Sequence, residues 1–252
     1  MDIEFRQRFT QLWRECFPSV DLPIAFYYTD QKSQAEPAPA RGRRCVICDL
    51  AQVRNGRSLR FGVDSVGCTG GKRYLGFTQT LRPNFEHFLS CGIPGEVEGE
   101  RYKKSPELVR EYLKHQPPFH APARYIVFKR WDMLAEEDDD PAVVVFFAPA
   151  DVLSGLFTLA NFDEADPYGV IAPFGAGCAS VVAYPYRELG SECPRAVLGM
   201  FDVSARPCVP PGALTFAVPW PKFVRMVGNI GESFLITATW DKVRRRINKG
   251  LC

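Results

Sequence analysis

The sequence predicts an α+β fold in which mixed sheets are covered by helices, and three observations carry that prediction. The chain has 252 residues, 46% of them hydrophobic and 24% charged, and a chain of this length removes roughly three quarters of its unfolded surface from water on folding. Short uninterrupted apolar runs, above all Ala142 to Ala148 (AVVVFFA), have the length and β-branched content of strands buried on both faces. These runs alternate with longer segments in which apolar residues recur at helical spacing.

Taken in order, Met1 to Phe17 places Ile3, Phe5, Phe9, Leu12, Trp13 and Phe17 among charged residues, which is a helical pattern. Leu22 to Thr29 (LPIAFYYT) is a buried strand, and the polar, proline-containing residues 30–44 are an exposed loop. Cys45 to Arg54 is helical and stops at Asn55-Gly56, and Leu59 to Val63 is a strand. The turn Gly67-Cys68-Thr69-Gly70-Gly71 opens a short helix over Lys72 to Phe77. Ser105, Pro106 and Glu107 are start signals for a helix running to His115. Tyr125 to Trp131 and Ala142 to Ala148 are strands, with Asp151 to Phe162 a helix after them. Tyr168 to Ala172 is a strand leading to a second glycine-cysteine turn, Phe174 to Cys178, and then a helix. Ala196 to Asp202 and Leu214 to Val218 are strands, Trp220 to Gly231 is an amphipathic helix, and 235–252 is a basic tail.

Leu50 to Cys68 and Leu159 to Cys178 share an order: Leu-Ala near a helix end, a turn, a strand, then Gly-Cys. This suggests one α+β domain over 1–252 with an internal duplication, about 22–123 and 124–234, in which Cys68 and Cys178 are equivalent. Coincidence is the competing reading, because helix and strand alternation alone produces such matches.

Thirty-one basic against 29 acidic residues give a net charge of +2, which supplies no strong positive field for nucleic acid. No run of about 18 apolar residues exists for a membrane span, and no export signal opens the chain. A cytoplasmic location is expected, where thiols stay free, and nine cysteines are an odd number for a disulfide framework. Working thiols are therefore sought among them.

A cysteine in a glycine turn at a helix start faces backbone N–H groups and the positive end of a dipole, which activates the thiol. The same turns, Gly67, Gly70 and Gly71 with Gly175 and Gly177, could instead hold an anionic ligand. The plainer alternative is two tight turns with buried small cysteines. Cys45-x-x-Cys48 has the spacing of metal chelators and redox dithiols, but no second such pair exists to make a zinc ribbon. Gly70-Gly71-Lys72-Arg73 fails as a phosphate-binding loop, with Val66 where its first glycine belongs. Gly175-Ala176-Gly177-Cys178-Ala179-Ser180 stops one residue short of a dinucleotide fingerprint, and three histidines leave little material for a histidine site.

The block Val66 to Phe77 (VGCTGGKRYLGF), with Gly99 to Val109 (GERYKKSPELV), the strand VVVFF, the turn at Cys178 and Val197 to Arg206 (VLGMFDVSAR), resembles the domain of unknown function 169 family from about Leu22 to Phe234. The resemblance implies no established activity. Its recurrent positions fall on Cys45, Cys68, Gly70, Gly71, Gly76, Cys178 and Arg206, which adds Arg206 to the candidate ligand-binding residues and makes Cys45, Cys68 and Cys178 a better set than the Cys45–Cys48 pair.

Three functional expectations follow. Cys45, Cys68 and Cys178, with Cys48 a weaker fourth, could ligate an iron–sulfur cluster or another soft metal such as zinc. The two glycine turns could instead hold a small anionic molecule in a binding protein that is not an enzyme. Cys68 could alternatively act as the nucleophile of a thiol enzyme. Cys16, Cys91, Cys193, Cys208 and Cys252 are expected to be incidental.

Overall fold

The computed structural model describes residues 2–32, 35–38, 45–116 and 118–249; Cys252, the end of the basic segment and part of the polar linker lie outside them. The chain begins with α1 (Ile3–Cys16), β1 (Ile24–Thr29), β2 (Glu36–Pro37), α2 (Val46–Arg54) and β3 (Leu59–Phe61). It continues through three shorter helices, α3 (Thr69–Tyr74), α4 (Phe85–Phe88) and α5 (Pro106–Lys114), to β4 (Tyr125–Arg130) and β5 (Val143–Ala148). Then come α6 (Ala150–Ala160), β6 (Val170–Ile171), a π-helical turn over Ala179–Ala183 that runs into α7 (Tyr184–Glu188), and β7 (Ala196–Gly199). A 3-10 segment (Arg206–Cys208), β8 (Leu214–Pro219), α8 (Trp220–Asn229) and α9 (Ala238–Asn248) complete it.

Among the described residues eight strands join one mixed sheet in the order β2-β3-β4-β1-β5-β8-β7-β6. Both ends of that order are alike. Parallel β2·β3 is matched by parallel β6·β7, antiparallel β3·β4 by β7·β8, and antiparallel β4·β1 by β8·β5. At the centre β1 and β5 pair antiparallel, Ile24 with Val145 and Phe26 with Val143. Strands β1 to β4 thus correspond in sequence order to β5 to β8, which puts β4 with the first set rather than at the start of the second.

The pairing follows from side-chain alternation, because successive residues of a strand face opposite sides. Ala25, Tyr27, Val144 and Phe146 face one core with Phe9 and Trp13 of α1 and the buried sides of α6, α8 and α9. Ile24, Phe26, Val143 and Val145 face the other, built with Val46, Ile47, Leu50 and Val53 of α2 and with Val181 and Val182 of the π-helical turn. The sheet is therefore the middle of three layers, and the central runs are apolar throughout because both faces are covered. The basic C-terminal segment is not a tail as far as it is described: α9 buries Trp240, whose Nε1–H donates to the Cys16 carbonyl at 3.0 Å. Its arginines form a solvated face, with Arg244 on Asp241 and Arg246 on Asp151. No helix among the described residues is long and apolar enough to cross a membrane.

Candidate functional site

The strand correspondence also fixes which loops meet. The helix α2 lies between β2 and β3, and the π-helical turn with α7 occupies the corresponding place between β6 and β7, on the same face of the sheet. Cys45 is the residue before α2 and Cys178 the residue before the π-helical turn, so these two cysteines hold corresponding places. Cys68 follows β3, and the counterpart of its loop, after β7, carries Asp202. The expected equivalence of Cys68 with Cys178 is corrected accordingly: it matched α2 to α6, a helix that connects β5 to β6 and packs on the opposite face.

Cys45, Cys68 and Cys178 line one cavity of about 600 Å³, together with Asp202. Cys178 is buried, and Cys45 and Cys68 are half-buried. Cys68 caps α3, its sulfur accepting from the Gly71 N–H at 3.5 Å. Asp202 accepts the Gly177 N–H at 2.9 Å through Oδ2, while its Oδ1 accepts from the Ser204 N–H and hydroxyl at 3.0 and 2.7 Å. Burial pushes the Cys178 thiol well above its ordinary value, and Cys68, Cys45 and Asp202 push it the same way. Cys45 is also raised, by burial first, with the Ile47 and Cys48 amides pulling partly back. Burial and the neighbouring acidic groups thus both disfavour the thiolate forms of Cys178 and Cys45.

Among the described residues the ligand atoms that lie mutually within 4.8 Å are the sulfurs of Cys45, Cys48 and Cys208; Cys45, Cys68 and Cys178 are spaced more widely. A single zinc ion holds its thiolates at about 2.3 Å, hence within about 4 Å of each other. A polynuclear cluster, in which each thiolate takes its own iron, tolerates the wider spacing.

Cys48 is disulfide-bonded to Cys208, across 160 residues. Three expectations change with that bond. Cys48 has no thiolate to offer a metal, Cys208 is not incidental, and the thiols are not all free. Cys16 is buried in the opposite core, and Cys91 and Cys193 are exposed away from the cavity.

Of the glycines, Gly67, Gly70, Gly175 and Gly177 line the cavity. Gly71 lies beneath it, where a Cβ would sit 3.0 Å from both Val46 and Val66. The Gly71 and Gly177 N–H groups are already taken, by Cys68 and Asp202, which leaves less of an anion cradle than the sequence suggested. Arg206 does not reach the cavity: its guanidinium donates to the carbonyls of Met200 and Ala213. Met200 has φ +69, a left-handed conformation uncommon outside glycine, and its N–H donates to Ser180 Oγ. Arg206 and Ser180 together hold the bend that delivers Asp202 to the site.

The remaining wall is aromatic and was not anticipated from sequence. Tyr74, Tyr102, Tyr112, Phe85, Phe88 and Phe174 contribute to it. Tyr112 and Tyr184 both donate to the Phe174 carbonyl at 3.1 Å, and the Lys103 ammonium lies 4.2 Å from the Phe174 ring. Arg82 stacks over Phe88 at 4.1 Å. Such a cavity is of the size and character that takes an organic molecule, with cationic edges and a sulfur floor.

Residues 21–229 match the model of the domain of unknown function 169 family, described as uncharacterised ArCR. No curated protein and no solved structure matches the chain.

Proposed function

The chain belongs to that family, whose model covers most of its length, and we propose that it is an iron–sulfur protein whose cluster is held by Cys45, Cys68 and Cys178 at the floor of a ligand-binding cavity. One observation carries the reading: three cysteines from three separate segments, 23 and 110 residues apart in sequence (68 − 45 and 178 − 68), line a single cavity. The three sulfurs do not all lie within 4.8 Å of one another, as a single zinc ion would require. Cys45, Cys68 and Cys178 would hold such a cluster through three thiolates, and the aromatic walls beside them would admit an organic ligand next to it. Asp202 adds negative charge beside the cysteines and holds the Cys178 turn in place.

Anaerobic purification with measurement of iron and acid-labile sulfide tests this. Both should be present, or taken up on reconstitution with ferrous iron and sulfide, and Cys68→Ser and Cys178→Ser should each lose them. Protein that holds neither iron nor sulfide by either route would end the proposal.

A second reading is favoured by the aromatic wall: a non-enzymatic binding protein for a small organic molecule, in which the cysteines fill space. It requires ligand binding to survive Cys68→Ser together with Cys178→Ser. The thiol-enzyme alternative requires iodoacetamide to label Cys68 ahead of the other free cysteines; even labelling opposes it.

A further inference from the structure

We propose that Cys45, Cys48 and Cys208 form a thiol–disulfide relay that moves Cys45 between the cavity and a bond to Cys48. Its regulatory consequence rests on the cluster reading above; the exchange itself does not. The three sulfurs lie within 4.8 Å of one another, and two of them already share a disulfide. The third, Cys45, is a free thiol on the cavity wall. A thiol beside a disulfide is the reactant pair for exchange.

The helix geometry selects the sulfur that is attacked. Cys45 is the residue before α2 and Cys48 its third residue, so the first turn of that helix holds the two sulfurs within 4.8 Å of each other. Theirs is also the Cys-x-x-Cys spacing of redox dithiols. In the step, the Cys45 thiolate attacks Cys48 Sγ. The Cys45–Cys48 bond forms as the Cys48–Cys208 bond breaks, and the electron pair departs on Cys208 Sγ, which takes up the proton that Cys45 gave. One disulfide is consumed and one formed, so no outside oxidant or reductant enters.

Two changes follow. Cys45 leaves the three-thiol set, so only Cys68 and Cys178 remain for a cluster. The link from α2 to the 3-10 segment carrying Cys208 opens, and that segment follows directly on the Asp202 loop. A bound cluster would hold Cys45 as its ligand and keep the disulfide on Cys48–Cys208; loss of the cluster would free Cys45 to exchange. The relay thus records whether the site is loaded.

Disulfide mapping of the full-length cluster-free protein tests the exchange. The protein is held at mildly alkaline pH, quenched in acid, alkylated with N-ethylmaleimide and digested. A Cys45–Cys48 peptide is expected, with the loss of alkylation at Cys45 matched by a gain at Cys208. Cys45→Ala and Cys45→Ser should both show only Cys48–Cys208, so a folding defect in one does not hide the result. If Cys45 is alkylated in every molecule and each disulfide maps to Cys48–Cys208, the relay is wrong whether or not iron binds. If the Cys45–Cys48 peptide forms but no iron is ever taken up, the exchange stands and the cluster reading fails. Where iron and sulfide do bind, loading should reduce the Cys45–Cys48 fraction; an unchanged fraction would sever the relay from the site.

Discussion

Replacing Asp138 with asparagine removes the charge from a carboxylate that pairs with Lys129 of β4 from the loop before β5. The Asp138 side chain is 7% exposed and accepts from three donors: Lys129 Nζ at 2.7 Å, the Tyr27 hydroxyl at 2.6 Å and the Ala135 N–H at 2.7 Å. The Lys129 side chain is only 9% exposed, so Asp138→Asn leaves an ammonium without a counter-charge where water barely reaches. Breaking such a pair costs about 3–5 kcal/mol, and at about 2–4 °C per kcal/mol for a chain of this size the melting temperature should fall by roughly 6–20 °C. Acidity gives the same network a second signature. Burial alone would raise the Asp138 carboxyl, but Lys129, Tyr27 and the Ala135 amide outweigh it and hold it below its ordinary value. A folded value below the unfolded one, about 3.9, means the unfolded chain takes up the proton first as pH falls. The stabilisation is therefore complete above the unfolded value and lost as pH drops through the folded one. Urea unfolding of both proteins from pH 7 to pH 3 should show a stability gap that is flat above about pH 5 and closes towards acid. A gap under about 1 kcal/mol at pH 7, or one that widens on acidification, would refute the reasoning.

Other substitutions probe the remaining structure. Gly76→Ala places a Cβ into the Ala121 backbone at a residue with φ +84, and should cost about 2–4 kcal/mol in chemical denaturation; a loss below about 1 kcal/mol would mean that the Gly76–Ala121 contact gives way easily. Glu164→Gln should destabilise more than Lys222→Met, by about 2 kcal/mol or more in thermal melts. The glutamine strands Lys222, whose side chain is 1% exposed, whereas the methionine leaves Glu164 paired with Arg225. Arg206→Ala should cost about 1–3 kcal/mol by unhooking Met200 and Ala213; unaltered stability with weakened ligand binding would instead return Arg206 to the cavity.

The central strands were legible because burial on both faces leaves an apolar run: β1, β4 and β5 fall within the runs that predict them, and β8 runs one residue past Leu214 to Val218, to Pro219. The start of α5 was legible from Ser105 and Pro106, and Ser105 does cap it, accepting the Leu108 N–H. At the edges, β6 falls within Tyr168 to Ala172, which predicts it, whereas β2, two residues long, lies in 30–44, which reads as a loop. The three cysteines of the site could be named from sequence, yet their geometric relation could not. Matching α2 with α6 respected the order of elements along the chain, but only strand pairing reveals that the two helices lie on opposite faces. Cys48 and Cys208 gave no local sign of their bond. The aromatic wall was hidden for a related reason: Tyr74, Tyr112 and Phe174 lie on separate segments and look, one at a time, like ordinary core residues. Asp202 did carry a signal, an Asp followed two residues on by Ser after a strand, which is a turn that fixes a carboxylate.

The two-sided strand order bears on how the protein holds together while it folds. Strands β1 to β4 come from residues 24–130 and β5 to β8 from residues 143–219, and in the sheet they meet through three residue pairs between β1 and β5. Contacts within each set can therefore form before the junction closes, which lowers the entropy that the longest-range pairings must overcome. The cavity straddles that junction: Cys45, Cys68 and Tyr112 come from one side, and Phe174, Cys178 and Asp202 from the other. Anything that engages both walls acts as a tie between two sets of strands. Its binding energy adds to the cooperativity of unfolding, with melting temperature climbing as the logarithm of its concentration.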